Sequence, residues 1–231
     1  TGVSLPTNAD DKTKIAIEVL RSRQFFTLFN SKNNILVDLM ATYDWDEGSN
    51  TLLIDDEVFD KSKGKWLRKP SPLRDSKPSN QEGHLAFMDI FSVSQNPKSG
   101  FISISINHYS PYIAQKWLEL VIEEINNILR EQQILQAESA IKYLEDEVLK
   151  TNVAQLQSGL YKLIESHTQK KAIARATPEY VFQTIDPPLV PEVKIKPRRS
   201  VICIMAALIG LIAATLSVLV NHYYFKLFKS Y

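Results

Sequence analysis

The chain has 231 residues, 27 of them basic and 26 acidic, for a formal net charge of +1, so no global field draws it to nucleic acid. A single cysteine, Cys203, excludes an intrachain disulfide and a cysteine-based metal site, and it leaves the redox compartment open. The opening residues have neither the basic flank nor the apolar stretch of a signal peptide, and a start at Thr1 instead of Met points to a natural N-terminus further upstream.

Residues 1–10 form a polar lead-in. Asp11 is placed to cap a helix in which Ile15, Val19 and Leu20 recur at helical spacing, and two more apolar helical stretches follow at Phe25–Phe29 and Ile35–Met40. From Tyr43 to Pro78 the chain turns polar and irregular. Short strands are expected at Thr51–Ile54 and around Val58 and Trp66, with Lys63 and Gly64 turning between the last two.

Ser79 followed by Glu82 is a capping box that predicts a helix from Asn80 to about Ile90. Phe91–Gln95 and Phe101–Asn107 then flank turn residues 96–100. In the second arm Ile102, Ile104 and Ile106 alternate with serines, so the isoleucines share one sheet face. Tyr180–Ile185 is expected to add a final strand to a small antiparallel or mixed sheet covered by helices.

Between Pro111 and Thr177 there is no proline and one glycine, Gly159. Ser110 suits a cap and Pro111 the first helical position, which predicts a helix running to Lys150, roughly 60 Å long. Its first half is broadly apolar (Ile113, Trp117, Leu120, Val121, Ile125, Ile128) and should rest on the base. Its second half, with Leu135, Ile141, Leu144 and Val148, should project from it. Thr151 and Asn152 interrupt the pattern, and Asn152 is expected to cap a second helix carrying Leu156, Leu160, Leu163 and Ile164. A protruding helical hairpin results, with one long bent helix as the alternative. So narrow an apolar stripe needs a covering partner, which makes oligomerisation the physical expectation.

The prolines Pro187, Pro188, Pro191 and Pro197 keep the next stretch stiff and extended, a spacer. Val201–Val220 is then an unbroken apolar run without charge. As a helix it would be roughly 30 Å long, the thickness of a bilayer's hydrocarbon. Inside it Ala206, Gly210 and Ala214 fall four apart, a spacing that lets helices approach closely. Tyr223, Tyr224 and Phe225 follow at the far interface.

The SPYIAQKW entry into a very long helix, the segment EYVFQTIDPP and the prolines leading to Arg198 and Arg199 together resemble the Wzz chain-length determinants, or polysaccharide co-polymerases. The resemblance runs from DKTKIAIEVLRS to the end of the chain. It implies a bacterial inner-membrane protein with a periplasmic main domain between two membrane helices. It also implies ring-like homo-oligomers and cooperation with a membrane polysaccharide polymerase to set the modal length of O-antigen or a related lipopolysaccharide or surface glycan. The first membrane helix of that pattern is absent from this sequence.

Lys194, Lys196, Arg198 and Arg199 precede the apolar run and only Lys226 and Lys229 follow it, so local charge alone would put the main domain in the cytoplasm. Long domains translocate regardless of charge, and an earlier helix would restore the periplasmic orientation. The basic cluster then meets anionic headgroups of the bilayer.

Nothing in the sequence supplies catalysis. The four histidines are scattered, there is no phosphate-binding glycine loop, and the acidic clusters Asp44, Asp46, Glu47 and Asp55, Asp56, Glu57 suit solvated loops. No catalytic, cofactor-binding or metal residue is assigned. Tyr43, Trp45 and Trp66 are candidates for stacking on sugar rings of a lipid-linked glycan.

The expectation is an α+β protein: a small sheet-and-helix base domain with a long protruding helical arm and a C-terminal transmembrane helix. Its base covers 1–110, the arm 111–177, the last base strand and spacer 178–199, the membrane helix 200–221 and the tail 222–231. The rival is a tail-anchored coiled-coil adaptor with a cytoplasmic domain.

Overall fold

The computed structural model describes residues 9–72, 74–191 and 199–228. The protein is α+β, with seven helices and three two-stranded antiparallel ribbons among the described residues. It divides into two compact units, residues 1–190 and 191–231.

The first unit begins with α1 (Ala9–Arg21), α2 (Arg23–Asn33) and α3 (Leu36–Met40). Asp11 lies inside α1, two residues past its start, and so is not its cap. Ser22 ends one helix and starts the next, its hydroxyl accepting from Phe25 N at 3.1 Å, which satisfies an amide the new helix leaves free. Asn34, at φ 50°, closes α2 in the left-handed region that asparagine tolerates.

The stretch expected to be irregular contains an unforeseen strand, β1 (Thr42–Asp46), paired with β2 (Thr51–Ile54). Its sequence TYDWD alternates polar and aromatic residues, but its burial does not alternate: Tyr43 stays exposed, and the pairing shifts register between Thr42 and Asp44. β3 (Phe59–Asp60) and β4 (Lys65–Trp66) form a second ribbon through the expected Lys63–Gly64 turn, with Gly64 at φ 61°.

α4 (Asn80–Ile90) carries the capping box in full: Ser79 and Glu82 each accept the other's amide, at 3.2 and 3.0 Å. Gly83 is there because α4 presses directly on α2. A Cβ would sit 2.7 Å from both Leu36 Cδ1 and Phe26 Cζ. β5 (Phe91–Gln95) and β6 (Ile102–Ile106) make the predicted hairpin, Phe91 opposite Ile106 and Gln95 opposite Ile102, with the isoleucines half-buried on one face and the serines exposed. The ribbons stay separate, so the single sheet expected from the sequence is replaced by three small ones.

α5 (Pro111–Lys150) is one 40-residue helix, capped by Ser110 and started by Pro111. Trp117, Val121, Ile125 and Leu129 join the core formed by Phe25, Phe26, Phe29, Phe87 and Phe91. Beyond Leu129 the helix leaves that core. α6 (Ala154–Ala176) returns along it, giving the predicted hairpin. Two details differ. Val153, not Asn152, occupies the cap position and makes no side-chain cap bond, while Gln157 Nε2 donates to Thr151 O at 2.8 Å to tie the turn. Leu135 is 61 % exposed and its neighbour Ile134 is buried, because the helix face set by Ala137, Leu144 and Val148 extends back to 134 at the three-and-four spacing of a paired helix.

Arg68 grips Glu82 with both terminal nitrogens, at 2.7 and 2.9 Å, and donates to Asp75 O, closing the loop before α4. The guanidinium and the Ser79 amide hold the Glu82 carboxyl down at about 2 instead of 4.5. Because the folded value is depressed, the stabilisation is complete above about pH 4.5 and is lost as pH falls toward 2. Glu82→Gln should therefore lower the melting temperature at neutral pH and converge with the parent near pH 2, which melting curves at several pH values would check.

In the second unit, α7 (Arg199–Phe228) is a helix of 30 residues. Among the described residues no helix is long and apolar enough to cross a membrane. The apolar run Val201–Val220 reaches past the described side chains of α7, residues 203–219, at both ends.

Candidate functional site

The sequence places an asparagine, Asn126, in the middle of α5's buried face, beside Ile125 and Leu129. A buried amide must find partners, and these come from the segment after α6. Asn126 Oδ1 accepts from Val181 N at 2.8 Å and Phe182 N at 2.9 Å, and Nδ2 donates to Phe182 O at 3.0 Å. This is why Tyr180–Ile185 is not the strand expected. Two of its amides, those of Val181 and Phe182, are satisfied by a side chain of α5, and it pairs with no strand among the described residues.

Further along, Gln115 Nε2 donates to Pro188 O at 3.0 Å. Eleven residues of α5 separate the two clamps, about 16 Å, and six residues of the returning segment cover the same distance. That is close to the ~3 Å per residue of polyproline II, the conformation which Pro187 and Pro188 favour. Above Asn126, Tyr180 OH donates to Gln133 Oε1 at 3.2 Å and accepts from Lys12 Nζ at 2.9 Å, with the ammonium 4.7 Å from the ring centre. The chain leaving the arm is thus a strap fastened antiparallel to α5 at three levels.

The other end of α5 is fixed by His108. Its Nδ1 accepts from Ser110 N at 3.1 Å, so Nε2 carries the proton and donates to Asp38 O at 3.2 Å. The ring lies 5.0 Å from Trp117. Burial pushes this imidazole below its ordinary pKa, and burial also raises the Asp38 carboxyl, against the lowering effect of His108 and Lys116. The neutral ring joins α3 to the start of α5. At the middle of α5, Lys32 from α2 binds both oxygens of the buried Glu124, at 2.6 and 2.8 Å.

The predicted residues fall in different places. Pro187 and Pro188 lie in the strap, and Pro191 is exposed at the start of the second unit. Pro197, Lys194, Lys196 and Arg198 lie outside the described residues, as do the side chains of Arg199, Tyr223, Tyr224 and Phe225. Ala206, Gly210 and Ala214 are exposed on α7, and a Cβ at Gly210 would meet nothing within 4 Å.

Trp66 is a core residue, edge-on to Phe59 at 5.1 Å, which removes it as a sugar platform. Tyr43 is exposed, and Trp45 stacks obliquely on Tyr112 at 6.0 Å with its indole N–H on Asn50 Oδ1. The acidic clusters close turns. Asp46 accepts from Gly48 N and from Ser49, and Asp55 accepts from Glu57 N. No three metal-ligating side chains converge among the described residues.

Asn126 and Gln115 escaped sequence reasoning. The available signal was an uncharged polar residue on an otherwise apolar helix face. Comparison with known proteins adds nothing to this geometry: no family model matches the chain, and no curated protein matches it significantly.

Proposed function

We propose that the protein is a non-catalytic, membrane-anchored regulator of polysaccharide chain length, working as an oligomeric scaffold for a membrane polymerase at the bacterial inner membrane. Val201–Val220, inside the continuous helix α7, is the proposed membrane segment, and the main domain is proposed to stand in the periplasm.

The observation that carries this reading is the arm. Its inner faces are Ile134, Ala137, Ile141, Leu144 and Val148 on α5, against Leu160, Ile164, His167, Lys171 and Ala174 on α6, the alternating spacing of an antiparallel coiled coil. Leu135 and Leu149 each follow an inner residue of α5, whereas Leu163 precedes an inner residue of α6 and Leu156 lies two turns before Leu163. In antiparallel helices those offsets point to opposite flanks. Arg175 reaches Glu138 at 2.9 Å across the flank that carries Leu135.

Leu135, Leu149, Leu156 and Leu163 are between 51 and 83 % exposed. Apolar residues on both flanks of a thin arm favour repeating, flank-to-opposite-flank association over a closed two-fold pair. The resemblance of Ser110–Trp117 and Glu179–Pro188 to chain-length determinants points the same way.

Deleting the gene and resolving the surface polysaccharide by electrophoresis tests the reading. Loss of a preferred length with polymerisation intact is the expected result. Unchanged banding, or complete loss of polymer, would overturn it.

A further inference from the structure

The face of α5 that the strap leaves open has its own chemistry. Tyr112, Glu119, Glu123 and Arg130 recur at seven-, four- and seven-residue intervals, so they lie within about 20° of one line along the helix. That line is about 27 Å long. Its upper part floors an open groove of about 480 Å³ between α5 and the strap, with Pro178, Pro187 and Pro188 as its far wall. Such a volume falls in the range of about 300–1,000 Å³ usual for small-ligand sites. Its lower end is the oblique Trp45–Tyr112 pair, Tyr112 being 50 % exposed.

The polar groups on this line are held but not used up. Glu119 accepts one bond, from Gln115 Nε2 at 3.1 Å, and Glu179 accepts one from Thr184 N at 3.3 Å. Arg130 gives one donor to Asn127 Oδ1 at 2.9 Å, and its Nε lies 3.9 Å from Glu131 Oε1. Each retains lone pairs or N–H groups facing water.

We infer that this line is a track for a linear glycan, with Tyr112 and Trp45 stacking a ring at one end and Glu119, Glu123, Asn127 and Arg130 bonding hydroxyls along it. Pyranoses present C–H faces and hydroxyl edges in alternation, which suits proline and aromatic surfaces interrupted by single carboxylates and amides. Three carboxylates (Glu119, Glu123, Glu179) against one guanidinium (Arg130) make the groove acidic, so the glycan it takes is neutral or amine-bearing and an acidic one is repelled. The inference deepens the proposed function by naming the ligand class of the base, and its test does not depend on chain-length control.

The full chain in detergent micelles is titrated, by saturation-transfer NMR and calorimetry, with three linear hexasaccharides: maltohexaose, chitosan hexamer and hexagalacturonate. Polysaccharide released by mild acid from the cells' own surface is titrated alongside them. The neutral or amine-bearing chains should bind, and hexagalacturonate at least about tenfold more weakly. Tyr112→Ala should weaken binding about tenfold. Glu119→Lys with Glu123→Lys should reverse the charge preference while the melting temperature holds, both side chains being exposed.

No binding by any of the four probes, equal binding by Tyr112→Ala, or a crosslinker at Glu123 capturing a second copy in place of glycan would overturn the track. If gene deletion leaves banding unchanged while the hexamers bind, the track stands and the proposed function falls.

Discussion

Replacing Asn126 with leucine should destabilise the first unit by about 3 kcal/mol, a large effect for a single polar substitution. Three hydrogen bonds are lost, each worth about 1 kcal/mol net, and two amides and a carbonyl are left against an apolar surface. For a domain of this size that is a fall of roughly 6–12 °C in melting temperature. Gln115→Ala removes one bond at the partly exposed end of the same strap and should cost about 0.5–1 kcal/mol. The strap after Thr177 should become the first site of protease cleavage in Asn126→Leu but not in Gln115→Ala. If Asn126→Leu melts within 2 °C of the parent, the strap is not fastened by this residue.

The reason for ranking Asn126 so high is mechanical as well as energetic. The strap leads directly to Pro191 and the second unit; apart from the bond from Lys12 of α1 to Tyr180, the side chains that fasten it among the described residues belong to α5, the same helix that becomes the arm. One helix therefore fixes both the position of the arm and the path by which the chain leaves the base. Under the proposed function, Asn126→Leu should broaden the distribution of polysaccharide lengths without stopping polymerisation.

What could be seen in the sequence was whatever advertises itself locally. The capping box at Ser79 and Glu82, the Ser110–Pro111 helix start, and the alternation of Ile102, Ile104 and Ile106 each state their geometry within a few residues, and the structure has each of them. What could not be seen was non-local. Tyr180–Ile185 has the composition of a strand, and its conversion to a strap depends on Asn126, more than fifty residues earlier. β1 was hidden because its pairing with β2 satisfies backbone groups without burying an alternating face. The open line on α5 is visible as a period only once Tyr112 is known to be exposed and the strap is known to form the opposite wall.

The arm makes the other large prediction. Leu163 and Leu135 lie on opposite flanks and are both exposed, at 51 % and 61 %, so neither supports the hairpin's own core and either can be charged without unfolding it. If flank packs on opposite flank, Leu163→Glu alone should break the contact, because every interface contains one copy of that flank. Leu135→Glu should do the same from the other side.

Pairing Leu135→Glu with Leu163→Lys should restore a contact, since the two new charges then face each other across the interface. A two-fold contact would behave differently, because each flank would then meet its own copy and the paired substitution would place like charges together. Sedimentation in mild detergent distinguishes these cases: large assemblies for the parent and the paired variant, small ones for each single variant. A parent that sediments as a single subunit, or single variants that assemble normally, would remove the arm as the assembling element.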